Sequence, residues 1–250
     1  MTKRSAIRLE PNGPVGVGLT RMELDVADFQ TELPEQNWHL YHEDDVAGLY
    51  VGVWTTTDMQ EAFGPYPGDE FMVLLEGDAI FVDGDGQEAR VECGETFAVK
   101  NGLPVSWKQQ GFCRKFFVIH SPPERRTPES ASIEGGINIL REPDLAARLV
   151  PTGDWKEAIA HVNDTADLEA GLRESGQDVS VKIQSSDHEF VYVLSGQVRL
   201  TNDNAEQCFE AGEAYFAPAG TAYIWSTDTK TRTFFCRVGQ AAQGGINSDR

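Results

Sequence analysis

The 250-residue chain predicts an all-β fold arranged as two tandem units, and three observations lead there. The first is a series of short runs with β-branched and aromatic bias: FMVLL (71–75), DAIFVD (78–83), EARVE (88–92), ETFAVK (95–100) and KFFVIH (115–120). Turn residues separate them, which is the pattern of strands rather than of helices. The second is an internal repeat. GDEFMVLLEGDAIFVD (68–83) aligns with SDHEFVYVLSGQVRLTN (186–202), with Glu70 over Glu189 and Gly77 over Gly196. CGETFAVKNGLPVSW (93–107) aligns with AGEAYFAPAGTAYIW (211–225), and the FF pair at 116–117 with that at 234–235. The offset stays at 118 or 119 residues across all three blocks, a register that chance does not hold. The third is SPPERRTPESASIEGG (121–136) between the units, whose Pro, Ser and charge suit a linker.

These blocks divide the chain into a first unit at 1–125 with an irregular N-terminal arm, a linker at 126–150 and a second unit at 151–250. The arm segment MELDVADFQTELPEQNWHLYHEDD (22–45) is expected to be irregular and to run across the outside of the first unit. Helical character is confined to a short stretch around Asp144 to Leu149. DGDG (83–86) lacks the sixth-position glycine and later bidentate glutamate of a calcium loop, so it reads as a hairpin turn. GPVGVG (13–18) has no strand before it to support a phosphate-binding reading and is a loop.

Composition narrows the function. The net charge of −19 leaves no basic surface for nucleic acid or an anionic membrane, both of which require clustered Lys and Arg. No signal-peptide run or membrane-length apolar window is found, and Cys93, Cys113, Cys208 and Cys236 show no CxxC spacing. Together these predict a cytoplasmic protein with reduced thiols.

The spacing of the repeat resembles the two-motif signature of the cupins. The second unit carries the whole frame, Glu189-FVYVLS-Gly196 followed by Gly212-EAYFA-Pro218-Ala-Gly220; in the first, Lys100 replaces the proline in Gly94-ETFAV-Lys100-Asn-Gly102. With the closing Trp107 and Trp225, the chain is similar to the ethanolamine-utilisation-type and ureidoglycine-aminohydrolase-like branch. The resemblance implies two tandem jelly-roll barrels joined by a short helical or irregular linker, packed face to face, with further homodimerisation compatible. It also implies a metal held by an H-x-H pair before the glutamate and a histidine after the Pro-x-Gly turn. This chain has Gly64 and Tyr66 (or Phe63 and Pro65) and Val105 in those places, and in the second unit Ile183 and Ser185 (or Lys182 and Gln184) and Tyr223. Neither set supplies the imidazoles that a first-row metal prefers.

No cofactor is therefore expected, and each barrel should keep an inward carboxylate whose burial raises its pKa. The ligand-binding candidates are Glu189, Tyr223, Gln184, Ser185 and Trp225 in the second barrel, and Glu70, Tyr66 and Trp107 in the first. The second barrel, with more polar groups, is favoured as a site for a small polar metabolite. The alternatives are a Mn-dependent enzyme, or one using another divalent metal, of ureidoglycine-aminohydrolase-like type, and a degenerate structural or regulatory protein. For such a metal His188 and Glu189 are the candidates, although strand alternation turns His188 away from Glu189 and towards the other barrel or the surface. His39, His42 and His120 read as structural.

Overall fold

The computed structural model describes residues 5–122, 136–202 and 205–239, so residues 126–135 of the expected linker lie outside the described residues. The first part of the chain contributes β1 (Ile7–Leu9), β2 (Thr20–Arg21), β3 (Gln36–Asp44), β4 (Leu49–Thr56), β5 (Met59–Gln60), β6 (Gly64–Pro65) and β7 (Asp69–Glu76). It continues with β8 (Ala79–Val82), β9 (Glu88–Val91), β10 (Thr96–Val99), β11 (Pro104–Gln109), β12 (Cys113–His120) and β13 (Ile137–Leu140). A five-residue helix, α1 (Glu142–Ala146), then leads to β14 (Val150–Thr152), β15 (Trp155–Val162), β16 (Leu168–Ser175), β17 (Val179–Gln184) and β18 (His188–Ser195). The last strands are β19 (Gln197–Asn202), β20 (Ala205–Glu210), β21 (Ala214–Ala217), β22 (Ala222–Thr227) and β23 (Thr231–Val238). No helix among the described residues is long and apolar enough to cross a membrane.

Each half forms a large and a small antiparallel sheet. The large sheets run β13-β10-β7-β12-β4-β3-β2 and β1-β21-β18-β23-β16-β15-β14; the small ones run β5-β11-β8-β9 and β17-β22-β19-β20. Strand alternation then divides the core into three parts. Met72, Leu74, Phe81, Val99 and Trp107 fill the space between the sheets of the first half. Val191, Val193, Tyr215, Tyr223 and Trp225 do so in the second. Phe71, Val73, Phe116, Phe190, Phe216 and Phe234 face the other way and join the two large sheets in one shared layer. Phe71 meets Phe190 there with ring centroids 5.7 Å apart. The near-continuous apolar character of β7 and β18 follows, because both faces of these strands are covered.

Gly77 and Gly196 end those strands with φ of 74° and 79°. A Cβ would stand 2.2 Å from the Phe112 carbonyl oxygen at Gly77 and 2.3 Å from Thr231 Oγ1 at Gly196. The glycines of the repeat are thus required by both backbone angle and close approach.

Three expectations need correction or refinement. Residues 36–44, expected to be irregular, form β3 and pair along β4 with a bulge between Leu40 and His42. Its polar and aromatic residues, nearly all half-buried, hide the alternation that marks a strand. The sheets also ignore the divisions drawn along the chain. β1 leaves the N-terminal arm to pair with β21 of the second half, Ile7 opposite Phe216. β13, within the stretch read as linker, pairs with β10 of the first half, Thr96 opposite Leu140. Each exchanged strand covers an edge that would otherwise be exposed. DGDG is a turn, with Gly86 N–H donating to the Asp83 carbonyl between the paired β8 and β9.

Candidate functional site

In the first barrel, β7 turns Glu70 inward beside Met72 and Leu74. Its carboxylate accepts from the Tyr66 hydroxyl and from Lys115 Nζ, the latter at 2.7 Å. Lys115, on β12, lies 4.8 Å from the Trp54 ring centroid and 4.5 Å from that of Trp107, and donates to Met72 Sδ at 3.2 Å. The ammonium is thus held between a carboxylate and two aromatic faces. Burial first, and then the Glu70 charge, hold the Tyr66 phenol well above its ordinary pKa. Trp107 is buried and donates through Nε1 to Gln109 at 3.2 Å.

The second barrel holds a larger ionic network. Arg173 of β16 donates through Nη2 to Glu189 at 2.5 Å and through Nε to Glu157 at 2.8 Å. Its guanidinium lies 4.3 Å from the Trp155 centroid and 5.1 Å from that of Phe235. Arg237 of β23 donates to Glu189 at 3.1 Å, to Glu169 at 2.7 Å and to Glu157. Three carboxylates around two guanidiniums leave the cluster one negative charge in excess. Burial pushes the Glu189 carboxyl up, but Arg173 and then Arg237 outweigh it and hold it below the ordinary range. The expectation that burial alone would raise this pKa is therefore corrected.

Tyr223 and Trp225 are brought to this cluster, sharing the interior with Tyr215. Burial, followed by the Glu189 charge, raises the Tyr223 phenol. The hydroxyl of Tyr215 and the indole N–H of Trp225, both fully buried, find no hydrogen-bond partner among the described residues. They face one another and the Tyr223 hydroxyl, close enough for the Trp225 N–H to lower the Tyr215 phenol and the Tyr215 hydroxyl to lower that of Tyr223, against the larger upward effect of burial. Gln184 and Ser185 are not brought in. β17 alternates, so Val179 and Ile183 pack inward while Gln184 is exposed, and Ser185 accepts from Asp187 N–H at 3.0 Å. His188 turns the opposite way from Glu189, stacking on Phe216 at 5.9 Å and standing 5.4 Å from His42 of the other half. His39 packs edge-on to Tyr41, and His120 Nε2 lies 3.4 Å from Asp167.

Sequence reasoning missed Lys115, Arg173, Arg237, Glu157 and Tyr215. The repeat carried a signal for one of them, since at its offset of 119 Arg173 falls over Trp54. A cation replacing a buried aromatic within a strand calls for a buried partner.

The residues do not suit the metal that the resemblance implies. Val105 and Gly64 face each other in one barrel, Tyr223 and Ile183 in the other, and none offers an imidazole. Glu70 and Glu189 are already paired with Lys115 and with Arg173 and Arg237, whose charges repel a divalent cation. Among the described residues no group of three His, Cys, Asp or Glu is placed to hold a metal.

Residues 174–235 match the family of cupin domains. Among solved structures, a DUF861-family protein of unknown function from Pseudomonas syringae pv. tomato superposes with a TM-score of 0.74 at 17% identity. That match covers 94% of this chain and 100% of the other. The fold is a cupin fold. A cupin 2 conserved barrel domain protein from Leptotrichia buccalis is also similar, with a TM-score of 0.60 at 10% identity over 82% of this chain and 89% of the other. No curated protein matches. At such identities the cupin likeness establishes architecture, and activity has to be argued from the two barrel interiors.

Proposed function

We propose that this protein is a bicupin that binds a small polar metabolite in its second barrel, with Arg173 and Arg237 standing where relatives of the implied branch place a metal. The observation that carries the reading is the pair of buried donors at Tyr215 and Trp225, which make no well-formed hydrogen bond to the described residues and lie in the same interior as the Glu189 cluster. A buried donor without an acceptor costs about 1–3 kcal/mol, so an acceptor-bearing ligand gains that much by filling the place. Carboxylates on one side and N–H and O–H donors on the other suit a molecule that both gives and accepts hydrogen bonds. An amide or ureide has this character. The net acidity of the cluster disfavours a simple anion. The free thiols of Cys93, Cys113, Cys208 and Cys236 fit a reducing cytoplasm.

Thermal-shift and calorimetric titration with amino acids, ureides and amines, each with and without Mn²⁺, test this. The expected result is a saturable stabilisation by an amide- or ureide-type compound, independent of Mn²⁺ and weakened about tenfold by Trp225→Phe or Tyr215→Phe. Failure of every compound to bind, or binding that needs Mn²⁺, would overturn it.

A further inference from the structure

The shared layer between the large sheets ends in a seam of polar pairs. Asp69 stands two residues before Phe71, His120 two after Val118 and Asn138 two before Leu140, so each continues a strand face of that layer beyond its apolar part. Their partners come from the end of β15 and the turn that joins it to β16. Asn163 Nδ2 donates to Asp69 at 2.9 Å and Lys100 Nζ to Asp164 at 3.2 Å, while His120 Nε2 lies 3.4 Å from Asp167. Asn163 also donates to Asp167 at 2.7 Å, which ties two of these contacts together. The Asn138 amide nitrogen of β13 and Nδ1 of His161 on β15 are 2.9 Å apart. Four polar pairs thus join a residue of one half to a residue of the other.

Within this seam His161, 2% exposed, has surroundings that suit one charge state only. Accepting from Asn138 at Nδ1 makes the ring neutral with its proton on Nε2, and Nε2 is buried without a partner among the described residues. An imidazolium carries an N–H on both nitrogens. One would meet the Asn138 N–H, donor against donor, and the other would bring charge to a place with no acceptor. The charged groups around the ring are Asp69 of β7, Lys100 after β10 and Asp164 after β15. Arg148, which follows α1, reaches the same strand at the Ile159 carbonyl, 3.3 Å away. Asp69 and Asp164 already accept from Asn163 and Lys100. Burial holds the imidazole below its ordinary value, with Asp69 and Asp164 pulling it up and Lys100 pushing it down.

We propose that this seam is a pH-sensitive clasp between the two halves, closed while His161 is neutral and released in mild acid, when the imidazole takes up a proton and the Asn138 contact is lost. The elements set free are β13 and the end of β15, and β13 covers the edge of β10. Above about pH 6.5 a held and a freed imidazole are both neutral, and opening does not depend on pH. Below it the freed ring binds a proton that the held one refuses, so the opening equilibrium rises about tenfold per pH unit until the held ring also titrates. The clasp lies on the opposite face of the second large sheet from the Glu189 cluster, and it stands or falls independently of what the second barrel binds.

Hydrogen–deuterium exchange of the full-length protein, followed by mass spectrometry at about pH 7.5 and 5.5 and corrected for the intrinsic rates at each pH, tests the clasp. On acidification the amides of β13 and β15 should lose several-fold in protection, while those of β12, at the centre of the first large sheet, keep theirs. His161→Asn puts a neutral acceptor near the Nδ1 position and cannot take a charge, so it should abolish the acid response. Asn138→Asp offers the imidazolium a carboxylate, so it should keep the clasp closed in acid, and either variant alone suffices for the test. His39→Asn, at a ring packed on Tyr41 of its own strand, should respond as the parent does. Protection of β13 and β15 that is independent of pH in the parent, protection that rises in acid, or an acid response undiminished in His161→Asn or in Asn138→Asp would each overturn the inference.

Discussion

Lys115 and Arg173 bring a cation beside the corresponding glutamates of the two barrels from different strands. Across the first large sheet Trp38, Trp54, Lys115 and Leu74 lie in one row. Across the second the row is Glu157, Arg173, Thr233 and Val193. Lys115 thus occupies the place of Thr233, and Arg173 that of Trp54. The charge has been kept while its strand has changed, and in the second barrel Glu157 accompanies it in the place of Trp38. What the two interiors share is a paired inward glutamate, which makes the pairing the first property to test.

Replacing Lys115 by methionine should leave the Glu70 carboxylate buried with no counter-ion. Breaking such a pair from one side costs about 3–5 kcal/mol, whereas replacing both members by neutral groups costs much less. Urea denaturation should therefore show Lys115→Met strongly destabilised, and the double variant Glu70→Gln with Lys115→Met restored most of the way. A double variant as unstable as the single one would mean that Lys115 acts through packing against Trp54 and Trp107 rather than through charge.

Glu189 should shape the acid limb of stability. Its folded carboxyl titrates below the ordinary range, although burial acts against this, because Arg173 and Arg237 prevail. A depressed carboxyl contributes stability that is fully present above its unfolded value, near 4.3, and lost as the pH falls through the lower folded value. Glu189→Gln should be about 3–5 kcal/mol less stable than the parent at pH 7, with the gap narrowing below about pH 4. A gap independent of pH would show that the glutamate serves as a hydrogen-bond acceptor alone.

The legible part of the site is the part that lies within the repeated frame. Glu70, Tyr66 and Trp107, like Glu189, Tyr223 and Trp225, stand at fixed distances from turn glycines, so spacing alone placed them indoors. Lys115, Arg173 and Glu157 stand outside that frame, on strands that meet the glutamates only through sheet register. Gln184 was misplaced because the frame's slots assume an inward face, and β17 turns that residue to solvent. That β1 joins the second half and β13, from the stretch read as linker, joins the first left no trace in composition, since an apolar edge strand of three or four residues looks the same whichever sheet it joins.

Glu61 should act in the opposite sense to Glu189. Burial pushes its folded value up to about 7, above that of an unfolded glutamate, so between about pH 4.3 and 7 the unfolded chain gives up a proton that the folded one keeps. The resulting penalty is absent at pH 4, grows through that interval and is constant above it. Glu61→Gln should match the parent at pH 4 and exceed it by about 1–2 kcal/mol at pH 8, less than the full shift because the carboxyl is only half-buried. Denaturation curves at the two pH values decide this, and a variant less stable at pH 8 would contradict it.

The exchanged strands predict that the two barrels unfold together. Leu9 of β1 pairs with the second half, and Leu140 of β13 with the first, and both side chains are buried in the shared layer between the large sheets. Loosening either one exposes an edge in one barrel and opens the common core of both. Leu9→Ala or Leu140→Ala should each cost about 2–5 kcal/mol. Each should also lower a single transition, without splitting it, when unfolding is followed by far-UV circular dichroism and by tryptophan fluorescence. The probes are well placed for this, with Trp54 and Trp107 in the first interior and Trp155 and Trp225 in the second. Coincidence of the two signals is the mark of one cooperative unit. Two separated transitions in either variant would show that each barrel is stable by itself and that the exchanged strands are only edge covers.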